Sequence, residues 1–85
     1  MLWFFKFLEL NDDFARVAYI YEGLLSDGFD GEFIYYFKTK KVEIIKKSKN
    51  DTSGKSAMFL AAKISAKYAD LERKQHKDYY CIATG

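Results

Sequence analysis

The sequence predicts an α+β fold in which one amphipathic helix covers one face of a mostly antiparallel sheet of about five strands, in the order β-β-β-β-α-β. Three observations carry this expectation. The first half consists of short aromatic and β-branched runs separated by polar clusters, the pattern of strands and turns. From Gly54 to about Lys74 the apolar residues recur at steps of three and four, the pattern of a helix with one apolar stripe. A last apolar run, Tyr79–Ala83, is too short for a second helix and reads as a strand that returns to the sheet. A single helix laid on the sheet is the simplest way to bury that stripe.

Leu2–Leu10 and Phe14–Glu22 are the first two strands, joined by the polar turn Asn11-Asp12-Asp13. The stretch Ser26-Asp27-Gly28-Phe29-Asp30-Gly31 then breaks regular structure, its glycines supplying positions that tolerate positive φ. Glu32–Lys38 and Lys41–Lys47 form a hairpin through Thr39-Lys40, without the Asn-Gly signature that would define its turn type. Pairing Phe37 with Val42 places Phe33, Tyr35, Phe37, Val42 and Ile44 on the more apolar face, which should meet the helix. Asp51, Thr52 and Ser53 precede the helix, and each could accept a bond from its free first-turn amides. Ala57, Leu60, Ala61, Ile64, Tyr68 and Leu71 form the stripe, with Lys55, Lys63, Lys67, Asp70 and Arg73 largely off it.

Eighty-five residues make one small domain spanning 1–85. Sixteen aromatic residues, 49% hydrophobic residues and no proline supply a core and argue against disorder. The one cysteine, Cys81, excludes an internal disulfide and a stapled secreted scaffold. The apolar N-terminal run is interrupted by Lys6 and Glu9 and lacks a basic leader and cleavage site, so it reads as a strand, not a signal peptide. No apolar run reaches the roughly 18 residues of a membrane span, and a cytoplasmic location is expected. The aromatic and lysine content looks like that of small proteins from AT-rich bacterial genomes.

No catalytic, metal or cofactor site is expected. Ser53-Gly54-Lys55-Ser56 resembles the end of a phosphate-binding loop, but Lys49 stands where that motif needs its first glycine. A helix start with Lys55 beside it could still hold one anion. Asp27, Asp30 and Glu32 lack the alternating ligand pattern of a calcium loop. His76 and Cys81 are too few ligands for zinc, and no third residue completes a nucleophilic pair. Cys81, between Tyr80 and Ile82, is expected to be a small buried hydrophobe, and His76 a solvated residue after the helix.

Charge is segregated: residues 1–37 carry two basic residues against seven acids, and residues 38–85 carry twelve against five. Two functional readings follow. In the first, the sheet face away from the helix collects Phe4, Leu8, Ile20, Ile34, Tyr36 and Ile45 into a patch that a homodimer or another protein partner would cover. The alternative is a nucleic-acid-binding accessory domain whose Lys38, Lys40, Lys41 and Lys55 would meet phosphates near Tyr35 and Tyr36. The first is preferred, as a small interaction or self-assembling module without catalysis.

Overall fold

Four consecutive antiparallel strands form a meander, β1 (Leu2–Leu10), β2 (Phe14–Tyr21), β3 (Gly31–Tyr36) and β4 (Lys41–Lys46). Two helices follow, α1 (Lys55–Lys63) and α2 (Ala66–Gln75), before β5 (Tyr80–Ala83) pairs antiparallel with β1. The computed structural model describes residues 2–21, 28–64 and 66–83, the side chains of residues 66 and 67 aside. Glu22, the Ser26-Asp27 part of the expected turn and the side chain of Lys67 therefore lie outside the described residues. The strand order is β4-β3-β2-β1-β5, so the chain leaves the sheet at one edge and rejoins it at the other. Four inter-strand spacings separate those edges, about 19 Å at ~4.8 Å each.

That crossing explains the one departure from the expected architecture, two helices in place of one. A straight helix from Gly54 to Lys74 would run about 30 Å, nearly the 31 Å length of the molecule, along a single line. Instead Ile64 is extended, at φ −74° and ψ 94°, while its N–H still donates to Leu60 O. The break lets each half cover different strands. α1 lies against β3 and β4, and Tyr68 of α2 packs edge-on against Phe5 of β1 and Tyr80 of β5. The expected stripe survives the break, with Ala57, Leu60, Ala61 and Ile64 fully buried and Tyr68 and Leu71 packed against the core.

Two bulges and one turn set the registers. Trp3, Phe5 and Phe7 oppose Tyr21, Tyr19 and Val17 on the covered face, and the ladder then slips at Leu8. One extra residue reverses side-chain parity, so Leu10 opposes Ala15 and joins the core. In the β3–β4 hairpin Val42 opposes Tyr35, whereas the sequence suggested Phe37. The Phe37 amide is committed to Asp13 O on the β2 side, and Phe37–Lys40 becomes the turn. Lys40 takes φ 56° there and its N–H donates to Tyr36 O. A two-residue slip preserves parity, so Phe33, Tyr35, Val42 and Ile44 still share the expected face, as far as the bulge at Ile45 that reverses Lys46.

Tyr19, on the central strand β2, joins the sheet to the helical layer. Its ring is fully buried, 5.7 Å from Trp3 and 5.6 Å from Phe33 between centroids. It lies across Gly31 so closely that a Cβ there would collide with it, which is why β3 begins with glycine. The Tyr19 hydroxyl donates to Asp51 Oδ2 at 2.6 Å and accepts from Ser48 N–H at 3.1 Å. Asp51 also accepts from Ser56 N–H and Ala57 N–H, at 3.0 and 2.9 Å, and so caps α1. Of the three candidates, Asp51 takes two first-turn amides and Ser53 Oγ takes that of Lys55, at 3.4 Å. Gly54, at φ +79° and pressed on Ile44, makes the tight turn that brings the helix amides back to it.

Three expectations follow for stability. Ile64→Ala should cost about 2–5 kcal/mol, as large-to-small changes in a core do, whereas Lys63→Ala on the exposed side of α1 should stay within about 0.5 kcal/mol. Equal costs in chemical denaturation would mean that the stripe does not face the sheet. Asp51→Ala should cost about 2–4 kcal/mol, since it removes a cap and strands a buried phenol and a buried amide. In a Tyr19→Phe background its cost should be smaller, and strict additivity in a double-mutant cycle would show that the two do not act as a unit. The third concerns alkali. Burial, and then the 2.6 Å bond that its hydroxyl donates to Glu72 Oε2, push the Tyr80 pKa from 10.0 up to about 12. Tyr19 is raised in the same sense by burial and then by Asp51. Folding favours the neutral phenol in both, so this stability is complete below pH 10.0 and lost as pH rises through about 12 for Tyr80. Tyr80→Phe should therefore be less stable at neutral pH and decline less steeply in alkali, read from melting temperature against pH.

Candidate functional site

The six residues expected to form an interaction patch are divided by the structure. Phe4, opposite Ile20 and Cys81, sits on the sheet face away from the helices, as do Ile34 and Tyr36. Ile20 is fully buried and offers no surface to a partner in this conformation. Phe4 is half-buried and meets the Tyr79 ring edge-on at 5.2 Å. Tyr36 is half-buried beside Phe14, with ring centroids 6.1 Å apart. Polar pairs interrupt this face: Lys6 Nζ lies 4.9 Å from the centre of the Phe29 ring, and Arg16 Nε donates to Glu32 Oε2 at 2.7 Å. Leu8 and Ile45 are the most open of the six, 43% and 52% exposed. Both sit at bulges, in strands separated by β2 and β3.

The four candidate anion contacts are likewise spread out. Lys38 and Lys40 stand on the hairpin turn and Lys41 opens β4, all exposed. Lys38 Nζ is 3.9 Å from Asp13 Oδ1 in an open ion pair. Lys55 opens α1, where its amide donates to Ser53 Oγ across 3.4 Å. The next two amides, Ser56 and Ala57, are already taken by Asp51. This helix start carries its own carboxylate where a bound phosphate would otherwise sit.

Cys81 corrects another expectation: it is exposed rather than buried. β5 is an edge strand whose covered-side positions are Tyr80 and Ile82, leaving Cys81 opposite Phe4 on the open face. His76 is exposed and closes α2, on the covered side of the sheet. Among the described residues no three His, Cys, Asp or Glu side chains cluster as a metal site, and no helix is long and apolar enough to cross a membrane.

The sequence reading missed a groove between α1 and the end of the β3–β4 hairpin. Tyr35, Phe37 and Val42 line it from the hairpin, Met58, Ala62 and Ile64 from the helical side, and Lys40 at its rim. It encloses about 640 Å³. It exists because α1 is only nine residues long and gives way at Ile64, so the helical layer stops short of the hairpin turn. Met58 is 58% exposed and its neighbour Phe59 is 37% exposed, with Lys63 Nζ 5.4 Å from the centre of the Phe59 ring. A signal was present in the sequence. Ala57–Ala62 is apolar on every side of the helix, whereas a helix that only covers a sheet needs one apolar stripe.

The groove is therefore an apolar concavity with one basic side chain at its edge, suited to holding an apolar group and orienting it by charge. Compared with models of protein families, with curated proteins and with solved structures, this chain matches none.

Proposed function

We propose that this chain is a binding module that works without catalysis, holding an apolar segment of a protein partner in the groove between α1 and the β3–β4 hairpin. The observation that carries the reading is the exposure of Met58 and Phe59 next to a concavity floored by Tyr35, Phe37, Val42 and Ile64. Each Å² of apolar surface left in water costs about 25 cal/mol relative to burial, so a concave apolar site gains most from an occupant. Met is flexible and polarisable, and it adapts to partners of varied shape. A short chain segment with two or three apolar anchors fits such a surface, as helices and strands do in other recognition grooves. The separation of Cys81 from His76 on opposite faces supports a role without covalent chemistry.

The open sheet face supports self-association less well. Ile20 is buried, and the Lys6–Phe29 and Arg16–Glu32 pairs divide what remains. Immobilised protein presented with a displayed library of short random peptides is the direct test. Enriched peptides should carry apolar anchors, and Met58→Asp should weaken them about tenfold or more, as loss of a central anchor does. Met58 is exposed, so the variant should keep the wild-type melting temperature. Absence of enrichment, or binding that ignores Met58→Asp and is lost in Ile34→Lys, would overturn the reading.

A further inference from the structure

We infer that the segment held in this groove is acidic as well as apolar, a stretch whose anchors are flanked by Asp or Glu. The inference rests on the groove being a docking site, and adds the charge of what docks there. The elements that build the groove carry the positive charge of the molecule. From Lys38 to Lys63, which spans the hairpin turn, β4, the loop that follows it and α1, there are eight lysines against Glu43 and Asp51, a net of +6, and the one acid of β3, Glu32, is paired with Arg16. The other residues carry six basic groups against ten acids, a net of −4. Asp51 is buried and committed to Tyr19 and two helix amides. Glu43 stands opposite Ile34, on the face away from α1, as do Lys41 opposite Tyr36 and Lys46 opposite Glu32. Of the eight lysines only Lys38 makes an ion pair among the described residues. Lys40 is the one charged side chain that lines the groove, and Lys63 stands outside it, over Phe59, on the helix that carries Met58. An unneutralised basic field around an apolar floor recruits acidic, apolar segments and repels basic ones.

Two other occupants fit less well. Nucleic acid needs ring faces for stacking, but Tyr35 and Phe37 meet edge to face at 5.6 Å and 85°, and the rest of the floor is aliphatic. Both arginines, whose forked geometry suits phosphate, are already engaged: Arg16 with Glu32, and Arg73 with Asp12 and Asp70. A second copy of the chain would have to offer an acidic apolar segment of its own. Among the described residues several of its acids are occupied, Glu72 by the Tyr80 hydroxyl, Glu32 by Arg16, and Asp12 and Asp70 by Arg73.

The experiment uses the full chain and three fluorescent synthetic peptides with the same apolar anchors, flanked by glutamate, by serine or by lysine. Anisotropy titrations at low and at high salt are run on wild type, Met58→Asp, Met58→Gln and the double charge reversal Lys40→Glu with Lys63→Glu. The glutamate peptide should bind about tenfold more tightly than the serine peptide at low salt, with the gap closing at high salt. Charge reversal should transfer the preference to the lysine peptide, and both Met58 variants should weaken all binding. Equal affinity for the glutamate and serine peptides, with both lost in the Met58 variants, would overturn the inference and leave the groove standing. Several outcomes would overturn both. These are binding that ignores Met58, binding equalled by single-stranded DNA in competition, or no binding at all. A concentration-dependent dimer in sedimentation equilibrium that Met58→Asp dissociates would make a second copy the occupant and overturn the inference as well.

Discussion

The hydrogen bond that the Tyr19 hydroxyl donates to Asp51 ties together the parts of this structure that the chain connects only distantly. Thirty-two residues separate the two groups, one on the central strand and one in the loop before the helices. Asp51 holds the first turn of α1, Ser48 N–H holds the phenol oxygen, and the phenol ring rests on Gly31. A buried carboxylate is tolerated here because its oxygens accept three hydrogen bonds. The direction in which α1 leaves the sheet is set at this point, and with it the position of everything α1 carries.

From that anchor the chain must cross five strands, since β4 and β5 are the two edges of the sheet. Two short helices achieve the crossing while covering both halves of the apolar face, α1 over β3 and β4 and α2 over β1 and β5. The second half is sealed by aromatic rings, with Phe5 and Tyr80 in contact with each other and each with Phe7 and Tyr68. The first half is covered by a single nine-residue helix and stays open at the hairpin turn. An incomplete cover over β3 and β4 is thus a consequence of the topology, and the groove is its result.

Charge falls on the two halves of the sheet with the same asymmetry. Near α2, Arg73 pairs with Asp12 and Asp70, and the Tyr80 hydroxyl with Glu72. The half near α1 carries lysines whose charges point to solvent. On the β4 edge those lysines also protect an exposed strand from pairing with other chains. The same side chains can discourage edge-to-edge aggregation and select the charge of what enters the groove.

Local pattern determined most of the architecture. Strand positions, the hairpin parity and the apolar stripe of the helical segment follow from alternation at two and at three to four, which depend only on neighbours along the chain. Asp51 was legible as one of three cap candidates, and Lys40 as part of a basic hairpin. Other features needed the tertiary structure. The break at Ile64 comes from the distance between two sheet edges, and the strand order that fixes this distance is not a local property. The exposure of Cys81 depends on β5 being an edge, and Ile20 is fully buried although it lies on the sheet face away from the helices. Met58 and Phe59 read locally as surplus apolar residues; the short cover beside them makes Met58 part of the wall of a groove and leaves Phe59 exposed next to it in the helix. Periodicity tells which side chains share a face, but only the packed fold decides how much of that face is covered, because coverage is set by elements far apart in the chain.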